Sequence, residues 1–267
     1  MRATVGEMEA TMSAVGLNMT AMWTLVTGAS GGVGATTIAA GLALGAAADG
    51  QPVCLVDGHF GGGGLEVTLG IERAPGLRWP DFSRAQGHIE MRSVLASLPA
   101  WRGVSVLSAA RTDPGIPDDR ALEAVLGSLA RAQVTVILDA PVGWAQWLPH
   151  APERRGRALL VVARNLGSVA GGLAALRYWD QDLLVREEGV RPRVVATGHQ
   201  HVALTPQQAA GLVGLELAGE VRRDSAVSKS GGRGAGPFGA DRGRALRGIA
   251  RLDRVQGAVP GLSGGGW

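Results

Sequence analysis

Apolar positions fall into two rhythms along the chain. Short, near-continuous apolar runs of strand length recur at Trp23–Thr27, Val53–Asp57, Val104–Leu107, Val134–Asp139, Ala158–Ala163 and Arg193–Thr197. Between them, Ala35–Ala48, Ile89–Leu98, Pro117–Ala132 and Ser168–Val185 have helical length and period. Strands that are apolar on both faces and alternate with helices predict an α/β fold: a doubly wound, mostly parallel sheet flanked by helices. Gly and Pro punctuate loops at Gly61–Gly64, Ala74–Pro80 and Thr112–Pro117. A glycine-rich loop, Gly231–Gly239, separates the sheet from a last helix at Asp241–Val255. The pattern places one domain over residues 23–256, between a flexible extension (1–22) and a flexible tail (257–267), and shows no internal repeat.

Composition narrows the chemistry. The chain has 267 residues, 46% apolar and 18% charged, the balance of a globular protein rather than a disordered one. Its 42 glycines follow no collagen-like period and belong to loops. Of 26 basic residues only Lys229 is lysine, so a catalytic or phosphate-binding lysine has one place to be. Net charge is +3, unevenly spread. Arg222, Arg223, Lys229, Arg233, Arg242, Arg244, Arg247, Arg251 and Arg254 face only Asp224, Asp241 and Asp253 in the same stretch, which points to a basic C-terminal face. Cys54 is the sole cysteine, which excludes disulfides within the chain and a cysteine zinc site and suits a reducing compartment. No run reaches the roughly 18 unbroken apolar residues of a membrane span. Residues 1–22 hold Glu7 and Glu9 and lack the basic-then-apolar order of a signal peptide, so a cytoplasmic location is expected.

The strongest chemical signal follows the first strand, where Thr27-Gly28-Ala29-Ser30-Gly31-Gly32-Val33-Gly34-Ala35-Thr36-Thr37 leads straight into a helix. Glycines let backbone approach a ligand, and successive amides with a helix N-terminus make a phosphate pocket. Read literally, TGASGGVG matches the TGxxxGxG loop of short-chain dehydrogenases. That resemblance implies a catalytic Tyr with Lys four residues on, but the only tyrosine, Tyr178, is followed at that spacing by Asp182, and Lys229 lies far away. The dehydrogenase chemistry has no proton donor here.

Ser30–Thr37 (SGGVGATT) instead resembles KGGxGKTT, the deviant Walker A loop of the MinD/ParA superfamily of P-loop ATPases, with both lysines replaced. The resemblance implies that Gly31, Gly32, Val33, Gly34, Ala35, Thr36 and Thr37 bind the phosphates of ATP or ADP, that Thr36 holds Mg2+, and that Thr37 contacts the α-phosphate. Val53–Asp57 resembles the family's second strand ending in aspartate. Val134–Pro141 (VTVILDAP) resembles its Walker B strand, with Asp139 reaching Mg2+ through water. A buried aspartate at a strand tip is costly unless paired or metal-bound, and two such tips beside one loop suit a metal-phosphate site. Within the superfamily the chain looks most like CpaE/TadZ-like proteins of actinobacterial type, found near pilus-assembly or secretion genes. That likeness rests on GGVGATT, Leu65–Leu77 (LEVTLGIERAPGL) and Val104–Pro117 (VSVLSAARTDPGIP), and covers about residues 23–252.

The departures shape the expectation. Ser30 stands where the family's signature lysine would reach a partner's phosphates across a homodimer, and Ala35 where the P-loop lysine would touch the β- and γ-phosphates. Each lost charge-assisted hydrogen bond costs roughly 1.5–3 kcal/mol. Relatives read DxD where this chain reads Asp57-Gly58-His59. Asp57 and His59 are the catalytic candidates, His59 as a base or phosphate contact or else as a solvated loop residue. Arg222 and its neighbour Arg223 stand where relatives have the turn after the last strand that approaches the nucleotide, so the resemblance implies that one of them supplies missing charge. The expected protein is an ATP-binding localisation factor for a pilus, secretion or septum-site apparatus, with weak or absent hydrolysis. The alternatives are an active ParA-like ATPase that partitions DNA and a nucleotide-free scaffold that keeps only the fold.

Three features stay open. Adenine-reading relatives carry Asn where this chain has Thr197-Gly198-His199, and no substitute is evident; His199-x-His201 lacks the carboxylate that would favour a metal. The amphipathic helix Asp241–Val255 reads as a final core helix with solvated arginines, or as a surface for nonspecific DNA. Membrane contact is not expected, because the following GAVPGLSGGGW is short and glycine-rich. Trp144 and Trp147 read as core packing or as a partner surface, and Trp79 carries no such context.

Overall fold

The structure is a computed structural model that describes residues 22–60, 64–110, 115–147, 156–182, 192–198, 203–231, 236–238 and 244–254. The expected flexible extension and tail, except for Met22, lie outside these residues, as do His199 and His201. Eight strands form one sheet: β1 (Trp23–Gly28), β2 (Val53–Asp57), β3 (Ala100–Trp101), β4 (Val104–Leu107), β5 (Thr135–Asp139), β6 (Gly156–Ala163), β7 (Arg193–Gly198) and β8 (Leu217–Arg222). Their order is β3-β4-β2-β5-β1-β6-β7-β8; β3 runs antiparallel to β4 and every other pair is parallel. The described helices are α1 (Ala35–Ala48), α2 (Leu65–Leu69), α3 (Met91–Ser97), α4 (Asp119–Arg131), α5 (Leu166–Asp182), α6 (Pro206–Val213), α7 (Ser225–Gly231) and α8 (Arg244–Arg254), with 3-10 turns at Trp79–Phe82 and Val142–Trp147.

Alternation along the strands builds two cores. Leu25, Val56, Val136, Leu138 and Leu160 face one side, where they meet Leu122, Val125, Leu126 and Leu129 of α4 together with α5 and α6. Val26, Leu55, Ile137, Leu159 and Val161 face the other, covered by α1 and by Ala245, Ile249 and Leu252 of α8. Each fully buried aliphatic side chain contributes about 1.5–3 kcal/mol. Helix α1 carries no charged residue because it is sandwiched: a Cβ on Gly41 would lie 2.5 Å from Ile249 Cδ1, so the Ile249 side chain of α8 packs directly on the α1 backbone. Helix α8 accordingly keeps its apolar stripe inside, and Arg247 and Arg251 stay outside. Among the described residues no helix is long and apolar enough to cross a membrane.

Strands β2 and β4 have the boundaries their sequence predicts, as does α1. Strand β6 starts at Gly156 rather than Ala158 because Gly156 and Arg157 pair with Trp23 and Thr24 of β1, and Arg157 Nε donates to Thr24 Oγ1 at 2.8 Å. The sequence pattern did not reveal β3, α2, α6, β8 or α7. The topology matters for chemistry because β1 is central: β2 lies to one side of it and β6–β8 fill the other. Loops leaving the carboxyl ends of parallel strands therefore converge over β1, where ligands of open α/β sheets bind.

Candidate functional site

Between β1 and α1 the chain turns on Gly32 (φ +71°) and Gly34 (φ +97°), left-handed positions that favour glycine. A Cβ at Gly31, Gly32 or Gly34 would meet nothing within 4 Å, so the loop borders open space. Gly34 caps α1 without a side-chain bond, which leaves the first-turn amides for a ligand.

The rest of the fold straps this loop from behind. Ala29 N–H donates to Val161 O at 2.9 Å. Thr197 Oγ1, buried at the end of β7, donates to Val33 O at 3.0 Å. Arg223 Nη2 donates to Gly32 O at 2.5 Å. Ser30 Oγ donates to Ser168 Oγ at 3.2 Å, and Ser168 Oγ also accepts from Ala163 N–H. Helix α5 lies so close that a Cβ on Gly171 would stand 2.0 Å from Ala29 O. In a trans peptide the carbonyl and the next amide point in opposite directions. With the Gly32 and Val33 carbonyls turned toward Arg223 and Thr197, the amides of Val33 and Gly34 face the opposite side, as an anion cradle requires.

Beside the cradle, β2 and β5 bring Asp57 and Asp139 into register as neighbours. Asp139 is 2% exposed, accepts a hydrogen bond from Thr36, and keeps Oδ1 without a hydrogen-bond partner. Burial, opposed by Thr36 and reinforced by the Asp57 carboxylate, pushes its pKa up to about 7. The Asp57 carboxyl is also raised by burial, against the pull of the backbone amides it binds. Those bonds define its work: Oδ1 accepts from His59 N–H at 2.9 Å and Oδ2 from Leu65 N–H at 2.8 Å, so Asp57 ties the residue after Gly58 and the start of α2 to the end of β2. His59 is 44% exposed, with Nε2 3.8 Å from Asp139 Oδ1.

Gly58 directs His59. Its N–H donates to Asp139 O, and a Cβ there would lie 2.5 Å from Ala140 Cβ and 2.9 Å from Trp144 Cε2. Under it, Phe60, Trp79 and Trp144 form an aromatic cluster with ring centroids 5.7–6.5 Å apart. Trp79 Nε1 donates to Asp57 O at 2.7 Å. Trp144 is thus a packing residue here, while the Trp147 side chain lies outside the described residues. Glu66, 2% exposed, pairs with Arg78 Nε at 2.6 Å, and Arg78 also donates to Gly76 O and Ala74 O, fixing the segment that leads to Trp79.

The sequence-derived residues Gly31–Thr37, Asp57, His59 and Asp139 are therefore brought together. Arg222 turns elsewhere: its Nε lies 3.4 Å from Glu220 Oε2, and it lines a cleft of about 500 Å3 with Arg247 and Arg251. It is Arg223 that reaches the loop. Thr197 supports Val33. Cys54, fully buried with its thiol pushed up to about 12, is a core residue. Ser168, Gly171, Thr197 and Trp79 carried no local signal in the sequence.

The donor set fits Mg2+. An orphaned buried carboxylate oxygen beside a threonine hydroxyl is relieved by a cation. Among the described residues no three His, Cys, Asp or Glu side chains form a metal cage. Magnesium is ordinarily held by one or two protein oxygens together with phosphate and water.

No family model matches the chain. An uncharacterized protein of Mycobacterium tuberculosis is 42% identical over 116 residues, 43% of this chain; the match spans 32% of that relative, about a third of its length. A putative septum site-determining protein MinD of Nephroselmis olivacea is 25% identical over 234 residues, 85% of this chain and 82% of the relative. Among solved structures, a ParA family ATPase from Chlorobium tepidum superposes with a TM-score of 0.68 at 16% identity, covering 86% of this chain and 97% of that one. MinD from Pyrococcus horikoshii, complexed with Mg-ADP, gives 0.65 at 17% identity, covering 89% and 96%. This chain has the fold of the MinD and ParA P-loop ATPases.

Proposed function

We propose that this chain, built on the fold of MinD and ParA ATPases and similar at low identity to septum site-determining proteins, binds ATP or ADP with Mg2+ at the β1–α1 loop. The observation that carries the reading is the buried Asp139 carboxylate, bonded to Thr36 on one oxygen and orphaned on the other, at the rim of a loop whose amides face outward. The amides of Gly31 to Thr37 hold the phosphates. Thr36, and Asp139 through water, hold Mg2+, which when bound neutralises charge on both the phosphates and the carboxylates.

Turnover is slow or absent. Both Asp57 oxygens are committed to backbone amides, and no lysine reaches the loop from Ser30 or Ala35. His59 remains, exposed and beside Asp139, to orient a water. A protein of this kind acts as a nucleotide-dependent position marker, dimerising through the nucleotide face and recruiting an assembly. The septum-site relatives support a role in marking cellular position, and the resemblance to CpaE/TadZ-like proteins supports a pilus or secretion apparatus as the partner. The sequence alternatives, DNA partitioning and a nucleotide-free scaffold, are outcomes of the same tests.

The test is thermal unfolding with added Mg·ADP, Mg·ATP or NAD+, together with phosphate release. Adenine nucleotides should raise the melting temperature, EDTA should abolish the shift, NAD+ should do nothing, and phosphate release should stay near background. Robust steady-state hydrolysis would refute the slow-switch reading, and a shift with NAD+ alone would refute the nucleotide assignment.

A further inference from the structure

A phosphate cradle normally sets fixed positive charge against its ligand, and this one has none nearby in sequence: from residue 3 to 72 the chain contains no lysine or arginine, a span that includes β1, the loop, α1 and β2. The ionisable groups beside it are instead two acids, Asp57 and Asp139, at adjacent strand tips. The elements that touch the loop from outside do so through Val161, Ser168, Gly171, Thr197 and Arg223. Among these described contacts Arg223 is the one cation.

Arg223 is held where it can act. Its backbone N–H donates to Gly198 O at 3.1 Å, locking the end of β8 to the end of β7, and its guanidinium reaches back across 191 positions of sequence to Gly32 O. Building on the nucleotide reading above, we infer that Arg223 is the positioning cation of the cradle. It sits behind the Gly32–Val33 peptide and polarises it, so that the Val33 amide on the far side meets a nucleoside polyphosphate with the support of a full charge. The arginine acts through the loop rather than on the reacting atoms. Hydrogen bonds assisted by a charge are markedly stronger than neutral ones, and a guanidinium stays charged at any working pH.

Two roles are separable. If Arg223 only latches the loop, glutamine, which also carries N–H donors, is a fair substitute and lysine is not better. If its charge matters, lysine is the better substitute, and the loss in Arg223→Gln grows with ligand charge. The experiment is calorimetric titration of Mg·ADP and Mg·ATP into wild type, Arg223→Gln and Arg223→Lys, with the unliganded melting temperature of each as the folding check. Arg223→Gln should weaken Mg·ATP about 10- to 100-fold and Mg·ADP less, with Arg223→Lys recovering most of the loss. Wild-type binding together with equal affinity in Arg223→Gln, or an equal loss for both nucleotides, would overturn the inference alone. A wild type that binds neither nucleotide would overturn the nucleotide reading and this inference with it.

Discussion

Gly171→Ala is the sharpest probe of how the loop is held, because the same substitution elsewhere in the protein should have the opposite sign. Gly171 lies inside α5, where alanine gains up to about 1 kcal/mol over glycine in helix propensity. Its new Cβ would stand 2.0 Å from Ala29 O, however, and well over an ångström of separation must be found. The loop cannot retreat freely, because Val161, Thr197 and Arg223 hold it. Overpacking of this kind costs about 1–3 kcal/mol, and a rigid backbone neighbour argues for the upper end or beyond. The net expectation is a loss of about 2 kcal/mol, or roughly 4–8 °C in melting temperature for a domain of this size. Gly211→Ala in α6 is the control: a Cβ there meets nothing within 4 Å, and stability should rise by about 0.5–1 kcal/mol. Urea unfolding of both variants and wild type decides it. Equal stability of Gly171→Ala and wild type would refute the close approach of α5 to the loop.

Other expectations follow from the same geometry. Asp139 has a folded-state pKa raised to about 7, so its contribution to stability is complete below about pH 4 and is lost as pH rises toward and through 7. Asp139→Asn without nucleotide should therefore gain on wild type as pH goes from 5 to 8, and an unchanged difference by thermal unfolding would count against the orphaned carboxylate. Metal binding needs the ionised form, so Mg·nucleotide affinity should rise with pH across the same window and binding should release protons, seen as a heat that depends on the buffer. Thr197→Val removes the donor to Val33 O at constant shape and should cost about 1–3 kcal/mol by leaving a buried carbonyl unpaired. Hydrogen exchange of the Val33 and Gly34 amides should quicken in that variant, and unchanged exchange would mean that the loop does not depend on β7.

What the sequence disclosed was local, and what it hid was long-range. Val53–Asp57 and Ala35–Ala48 are legible because a strand buried on both faces and a helix buried nearly all round are apolar throughout. Strand β8, Leu-Ala-Gly-Glu-Val-Arg, is an edge strand with polar positions and offers no apolar run. Helix α6 did carry signals, Thr205 and Gln208 in a capping box, Pro206 in the first turn and Gly214 after the end, which outweigh its short length. The site divides the same way. The glycine loop and both aspartates stand in contiguous motifs. Ser168, Thr197 and Arg223 act across 138, 164 and 191 positions, so the sheet order alone brings them to the loop. Between adjacent Arg222 and Arg223, only the tertiary structure tells which faces Glu220 and which faces Gly32.

Binding of a Mg-nucleotide needs the cradle and Asp139 together. Calorimetric titration of Mg·ATP into the protein and into Asp139→Ala tests it most directly. Affinity in the micromolar to low millimolar range for the wild type, lost in a folded Asp139→Ala, is the expected result. No heat and no change in melting temperature at millimolar Mg·ATP with the wild type would contradict the account and leave a scaffold that has kept only the fold.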